Sequence, residues 1–180
     1  MRKLRDLRLF FHRHLLNRQR RRIEVLHRSV PFDEARQIGI LFDASELDHR
    51  NAVLQFAKKI RSKRVHLLGY FDSYQDKEAH FPFDFFHSGQ IDWALRPKGP
   101  AVQRFIENPF DILLVAYPST TPHSEYIAAL SRATLRVGPV TENTYCYELM
   151  IDAGRDNQPG KFLADAISLL KKTTTQYETA

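Results

Sequence analysis

The stretch that decides the fold is FDILLVAY, residues 110–117, a nearly unbroken apolar run with Pro109 before it and Pro118 after it. Such a run is typical of a strand that is buried on both faces, in the middle of a parallel sheet covered by helices. The polar turn STTP, residues 119–122, follows directly. Open α/β sheets place their sites at the carboxyl ends of strands, so this turn is the first candidate position for function.

Strands and helices alternate on both sides of this run. The aromatic-rich segment 73–90 has no clear period and is expected to be irregular, as a lid, a partner surface or a satellite core. The alternation predicts a three-layer, Rossmann-like α/β sandwich with a mostly parallel sheet, over residues 34–172, with a polar tail at 173–180. The other predicted elements are strand 38–42, helix 51–60, strand 65–71, a short strand at 91–95, helix 99–107, helix 123–132, an edge-type strand at 134–138, strand 146–152 and helix 161–172.

The net charge of +6 is concentrated at the N-terminus. Residues 1–28 hold ten Lys and Arg against two acidic residues, a net +8, whereas the rest of the chain sums to −2. Leu4, Leu7, Phe11 and Leu15 recur at spacings of three and four, without Pro or Gly. The pattern predicts a basic amphipathic helix over residues 1–28, preceding the α/β domain.

The arginines of this helix are the basis of the leading hypothesis. All sides of one helical turn are covered by Arg18, Arg20, Arg21 and Arg22, so these side chains cannot all pair with carboxylates of the domain. Contact with phosphates releases counterions, which gives a basic segment salt-sensitive affinity for nucleic acid. The leading hypothesis is therefore a non-enzymatic domain that contacts RNA or a ribonucleoprotein through this helix. Two alternatives stay open: an anionic membrane surface, and a solvated helix packed on its own domain. The predicted nucleic-acid contacts are Arg13, Arg18, Arg20, Arg21 and Arg22.

Polar residues follow several strands and suggest a function of a different class. A small-molecule domain or enzyme, for a nucleotide or sugar nucleotide, would have its site at these strand ends. Aspartates there, including Asp152, offer oxygen ligands for a cation, or they cap helices and support turns. Ser119 and His123 suggest a nucleophile and a base, or solvent-exposed helix capping. The candidate ligand-binding residues are Asp43, Ser45, Asp72, Ser119, Thr120 and His123.

Several common sites are missing from the sequence. Neither G-x-x-x-x-G-K-[ST] nor G-x-G-x-x-G occurs, and seven glycines leave little for a phosphate cradle. The eight histidines are scattered and Cys146 is the only cysteine, so no zinc site, other metal site or disulfide is predicted. The turn at Ser119 lacks the G-x-S-x-G elbow. We therefore assign no catalytic residue and no cofactor, and expect Cys146 to be a small core residue.

The location and assembly of the protein are only partly constrained. No apolar run approaches the roughly 18 residues that cross a bilayer, and the N-terminus lacks the apolar core of a secretory signal. Its Arg-rich, acid-poor composition leaves a mitochondrial presequence as an alternative. With one cysteine in the chain, these features favour a cytoplasmic protein. The oligomeric state stays open.

Four segments carry a resemblance to a known family: IGILFDA at 38–44, VHLLGYFD at 65–72, the run 110–138, and YELMID at 147–152. In this order they resemble an uncharacterised Bacteroidetes family, a domain of unknown function, over most of residues 20–172. A more local likeness joins the run 110–138, with its A-x-x-R-[VI]-G element, to the N-terminal half of heptosyltransferase-type glycosyltransferases. Both resemblances imply an α/β fold, and neither assigns a catalytic residue.

Overall fold

The computed structural model describes residues 2–23, 25–73, 80–117, 119–152 and 158–177. Six strands and five helices form one α/β unit in this part of the chain. In chain order they are α1 (Arg2–Arg20), β1 (Gln37–Asp43), α2 (Leu47–Lys59), β2 (Arg64–Phe71), β3 (Asp84–His87), α3 (Pro100–Glu107), β4 (Ile112–Ala116), α4 (Pro122–Leu130), β5 (Leu135–Pro139), β6 (Leu149–Ile151) and α5 (Pro159–Tyr177).

The sheet confirms the predicted α/β architecture. Its strand order is β3-β2-β1-β4-β5-β6, and every neighbouring pair is parallel. The chain winds outward from β1 in one direction and then from β4 in the other. The carboxyl ends of β1 and β4 therefore flank the topological switch point, where sheets of this order form their binding crevice.

The central run lies where its composition predicts. All five residues of β4 are buried, and their side chains alternate between two cores. Leu113 and Val115 face the core that contains residues of α1, α3 and α4, and Leu114 faces the core that contains residues of α2 and α5. This alternation produces the three layers. Phe110 packs so closely under Gly39 that a Cβ there would lie 2.6 Å from its ring.

Two strand predictions were wrong in detail. The short strand is β3, at Asp84–His87, and residue Ile91 makes only an isolated bridge with Pro97. The segment 134–138 is not at an edge, because β6 pairs outside β5 and all five residues of β5 are buried. β3 was missed because Phe81, Phe83, Phe85 and Phe86 form one aromatic run, in which no single alternation marks where a strand begins. In the described part of the aromatic-rich segment 73–90, three rings pack on the core that contains residues of α2 and α5, as a satellite core would: Phe81, Phe83 and Phe85.

Both terminal helices differ in length from the predictions. α1 ends at Arg20, not at residue 28, and Arg22 and Ile23 then donate backbone hydrogen bonds to Gln19 and Arg20 in a tight turn. The run of arginines there has no apolar face to bury and its like charges repel, which favours ending the helix. Further on, the backbone N–H of Arg28 donates to Thr134. α5 continues to Tyr177, although residues 173–180 were predicted as a tail.

The last predicted strand, 146–152, is also shorter than expected. β6 comprises only Leu149–Ile151, and Cys146 lies before it. As predicted, Cys146 is buried in the core, and burial raises the pKa of its thiol to about 12.

Among the described residues, no helix is both long and apolar enough to cross a membrane.

Candidate ligand site at the strand ends

The structure brings three of the predicted ligand residues together at the carboxyl ends of β1 and β2. The backbone N–H of Ser45 donates to Asp43 Oδ1 at 2.9 Å, and that of Asp72 donates to Ser45 Oγ at 3.0 Å. The backbone N–H of Ala44 donates to the Tyr70 carbonyl at 2.7 Å, which ties the two strand ends to each other. Asp43, Ser45 and Asp72 thus form one connected polar edge.

His123 reaches this edge from the start of α4. Its ring centroid lies 4.1 Å from that of Tyr70, 5.7 Å from Tyr117 and 5.9 Å from Phe86. The Tyr70 hydroxyl donates to Asp72 Oδ1 at 3.1 Å. Aromatic rings from the ends of β2, β3 and β4 therefore surround His123 beside the aspartates.

The orientation of His123 follows from how α4 begins. Thr121 is the N-cap: its Oγ1 accepts from the backbone N–H of Ser124 at 3.2 Å, and Ser124 Oγ accepts from the backbone N–H of Thr121 at 3.0 Å. This reciprocal capping box, with Pro122 at the first helical position, fixes the first turn. His123 is only 9% exposed. The interpretation of His123 as a solvent-exposed cap was therefore wrong, because Thr121 caps the helix.

The turn after β4 contributes less than predicted. Ser119 is exposed, and in the described part of the chain no hydrogen bond joins Ser119 to His123. Thr120 is partly buried, and its hydroxyl lies inside the protein. The structure thus buries the Thr120 hydroxyl and leaves Ser119 at the surface, without the base that a serine nucleophile needs.

The titratable rings of the site are uncharged at neutral pH, and burial moves their pKa values further from neutrality. It lowers the pKa of His123 to about 4, although the nearby Asp43 and Asp72 carboxylates oppose the shift. It also raises the pKa values of Tyr70 and Tyr117 well above the ordinary value for a phenol. The site therefore offers a neutral imidazole and two protonated phenols next to two carboxylates.

Three buried polar atoms of the site have no hydrogen-bond partner among the described residues: Tyr117 Oη, His123 Nε2 and Thr120 Oγ1. Tyr117 is 3% exposed, so a partner from outside the protein reaches its hydroxyl only when neighbouring side chains move. A buried polar group without a partner costs roughly 1–3 kcal/mol of stability, and natural proteins keep few of them. Of the nine such atoms among the described residues, these three follow β4, at the switch point, and they are the candidate hydrogen-bonding groups for a ligand at the strand ends.

The charges at these strand ends do not suit a phosphate. In Rossmann folds the phosphate sits on the N-terminus of the helix that follows β1, beside glycines. Here that helix, α2, has Glu46 as its N-cap and Asp48 in its first turn. Arg50, the cation nearest this turn in sequence, has its guanidinium 5.6 Å from the ring centroids of both Phe71 and Phe81.

A cation held by three aspartates also finds no support. The described residues contain no group of three His, Cys, Asp or Glu side chains that could hold a metal ion. Asp152 follows β6 at the far edge of the sheet, two strands beyond β4, whereas Asp43 and Asp72 lie at the ends of β1 and β2. The structure therefore does not unite the three predicted carboxylates.

The arginines predicted to contact nucleic acid lie on a different surface. Arg13, Arg18, Arg21 and Arg22 are exposed. The guanidinium of Arg20 lies 4.5 Å from the ring centroid of Tyr145. The basic segment thus has four outward arginines and one that packs on the domain.

Sequence reasoning missed the aromatic residues of the site. Tyr70 stands two residues before Asp72, and Tyr117 is the last residue of the central apolar run. Each is a hydroxyl-bearing side chain at a predicted strand end. Their position at strand ends was the signal that could have marked them as site residues. Only the strand order, however, shows that both rings meet His123.

A comparison with protein-family models matches residues 8–173 to a family of unknown function, DUF6913. The chain belongs to this family. The match covers every strand and all residues of the candidate site, and it begins inside α1. It agrees with the predicted resemblance to a domain of unknown function. No curated protein matches the chain.

Proposed function

We propose that this DUF6913 domain binds a small hydroxyl- or amine-bearing molecule, without phosphate, at the carboxyl ends of β1 and β4. One observation carries the proposal: the Tyr117 hydroxyl and His123 Nε2 are buried at the topological switch point without partners among the described residues. A ligand that hydrogen-bonds to both would recover the free energy that their burial costs.

The chemistry of the surrounding groups defines the ligand class. Two phenols and a neutral imidazole can donate to or accept from hydroxyl and amide groups. Asp43 and Asp72 add negative charge, which attracts amines and repels phosphates. Nucleosides, sugars and amino sugars fit this set better than the nucleotides or sugar nucleotides that the fold alone suggests.

Binding is favoured over catalysis at this site. Ser119 is exposed and has no hydrogen bond to His123, so the nucleophile and base pair is not assembled. An imidazole with a pKa of about 4 is also a weak base at neutral pH. These observations support a ligand-binding domain.

The test is a thermal-shift screen with a defined panel: adenosine, uridine, glucose and glucosamine, each beside its phosphorylated counterpart. We expect at least one unphosphorylated compound to raise the melting temperature, and its phosphorylated counterpart to raise it less. The response should disappear in Tyr117→Phe and persist in Tyr126→Phe, a change to a partly buried tyrosine of α4 outside the site. A response to phosphorylated compounds alone, or one unaffected by Tyr117→Phe, would overturn the proposal.

A second, separate role is an anion-binding surface on α1 and the turn that follows it. Four exposed arginines, Arg13, Arg18, Arg21 and Arg22, support salt-dependent affinity for a polyanion, and RNA or a ribonucleoprotein was the predicted partner. The apolar side chains on the same helix help to decide which partner, RNA or a lipid surface, fits this helix better.

A further inference from the structure

The first half of α1 carries an exposed apolar patch. Leu4, Leu7, Phe10 and Phe11 are between 39% and 65% exposed, and Trp93 on the domain is 50% exposed. Phe11 lies 5.8 Å from Phe10 and 5.4 Å from Trp93, measured between ring centroids. We refer to these five residues as the apolar patch. Contiguous exposed apolar surface of this kind marks a site for a partner or a membrane.

α1 packs on the domain, so the apolar patch is exposed even though the helix itself is not detached. His12 is buried, and its Nδ1–H donates to the Ala94 carbonyl at 3.0 Å. Leu16, one turn further along, is fully buried. Arg8 Nε donates to the Trp93 carbonyl at 2.8 Å, beside the patch. α1 thus buries one side against the domain and presents a second apolar side to solvent.

Exposed cations lie along the same helix as this second apolar side. Lys3, Arg5, Arg13 and Arg18 are exposed along α1, against one acidic residue, Asp6. Exposed Leu and Phe side chains combined with surrounding Lys and Arg are the signature of a helix that lies in a membrane interface. The cations would meet lipid phosphates while the apolar patch enters the acyl boundary.

We infer that α1 docks the protein on an anionic lipid surface through the apolar patch and the exposed cations of the same helix. Contact with RNA explains the arginines but not Leu4 and Leu7, which offer neither a stacking face nor a hydrogen-bond donor. A second copy of the chain would bring two strongly basic segments together, and their repulsion opposes pairing. A lipid surface of opposite charge satisfies both the apolar and the cationic side chains.

The experiment is vesicle flotation of the full-length protein, with phosphatidylcholine vesicles and with vesicles that contain about one third phosphatidylglycerol. Filter binding to poly(U) is measured in parallel. The apolar variant is Leu4→Gln/Phe10→Gln, and Leu26→Gln is its control, because Leu26 is exposed outside α1. The charge variant is Arg13→Gln/Arg18→Gln, with Lys58→Gln/Lys59→Gln on α2 as the charge-matched control. Circular dichroism verifies that each variant is folded.

We expect binding to the anionic vesicles alone, reduced about tenfold or more by the apolar variant and by the charge variant, and unchanged in both controls. Vesicle binding that survives the apolar variant would overturn the inference, since charge alone would then explain it. Tight poly(U) binding without vesicle binding, lost in the charge variant, would favour RNA instead. Self-association that the apolar variant abolishes, without vesicle binding, would also overturn it.

This inference does not rest on the proposed ligand site. The apolar variant leaves Tyr117 and His123 intact, so a thermal shift caused by a small molecule should be the same in the variant and in the wild type. Failure of either proposal is therefore distinguishable from failure of the other.

Discussion

The imidazole ring of His123 lies 4.1 Å from the ring of Tyr70, centroid to centroid, with the two planes inclined by 31°. The pair joins the start of α4 to the carboxyl end of β2, across the switch point of the sheet. Tyr70 in turn donates its hydroxyl hydrogen to Asp72. This arrangement holds His123 beside two carboxylates, yet so deeply buried that its imidazole stays neutral at pH 7.

Acid should destabilise the protein through His123. The folded-state pKa of about 4 is below the ordinary value of 6.5, so the unfolded state binds the proton more tightly. Stability is therefore fully present above pH 6.5 and is lost as the pH falls toward 4, by about 3 kcal/mol over the whole window. Urea unfolding across this range measures the loss.

The variant His123→Phe separates the contribution of His123 to this pH dependence from that of His12, whose pKa is also lowered by burial. Phenylalanine keeps an aromatic ring in the cluster and does not titrate. We expect a shallower decline in the variant between pH 6.5 and pH 4. Identical slopes in the wild type and the variant would show that His123 is accessible to protons in the folded state.

An ion pair between buried Arg136 and the more exposed Glu148 should hold β5 to the segment before β6. Arg136 is buried, its Nε donates to Glu148 Oε2 at 3.1 Å, and its backbone N–H donates to the same oxygen at 2.8 Å. Arg136→Met leaves the carboxylate without its main partner and should lower the free energy of unfolding by about 2–3 kcal/mol, a little less than for a fully buried pair. The double variant Arg136→Met/Glu148→Met should lose less than the single one. A larger loss in the double variant would contradict this account.

Gly138 in β5 leaves room for the ring of Tyr147. A Cβ at this position would lie 2.3 Å from that ring, closer than two carbon atoms approach. We expect Gly138→Ala to lower the free energy of unfolding by about 1–3 kcal/mol in urea. Combining it with Tyr147→Leu should relieve the clash, so the double variant would cost less than the sum of the single changes. Strict additivity would show that the ring moves aside without cost.

The thiol of Cys146 should be unreactive while the protein is folded. Burial raises its pKa to about 12, which leaves almost no thiolate at pH 8. We expect Ellman's reagent to detect no thiol in the native protein and one per chain in concentrated urea, since Cys146 is the only cysteine. Rapid native labelling at pH 8 would mean that the segment before β6 opens readily.

The sequence predicted the fold better than the site, for physical reasons. The run 110–117 is apolar on both faces, and only a central strand buries both faces, so β4 follows from composition. β3 was misplaced because Phe81, Phe83, Phe85 and Phe86 form one aromatic run without a strict alternation, and tertiary packing selects the residues that pair with β2.

The site depends on contacts between residues that are distant in sequence. The spacing of polar residues placed Asp43 and Asp72 at strand ends, where the structure has them. It did not show that Tyr70, Tyr117 and His123 converge, because their meeting depends on the strand order and on the capping of α4 by Thr121. The extent of α1 was overestimated because its charge continues through Arg22 although its apolar face does not.

The most direct test of the ligand site compares two identical substitutions in the free protein, Tyr117→Phe and Tyr70→Phe. The Tyr117 hydroxyl is buried without a partner among the described residues, whereas the Tyr70 hydroxyl donates to Asp72. In urea, Tyr70→Phe should lower the free energy of unfolding by about 1 kcal/mol, and Tyr117→Phe should leave it unchanged or raise it by about the same amount. A loss of about 1 kcal/mol or more in Tyr117→Phe would show that its hydroxyl already has a partner in the protein, and would contradict its assignment to a ligand.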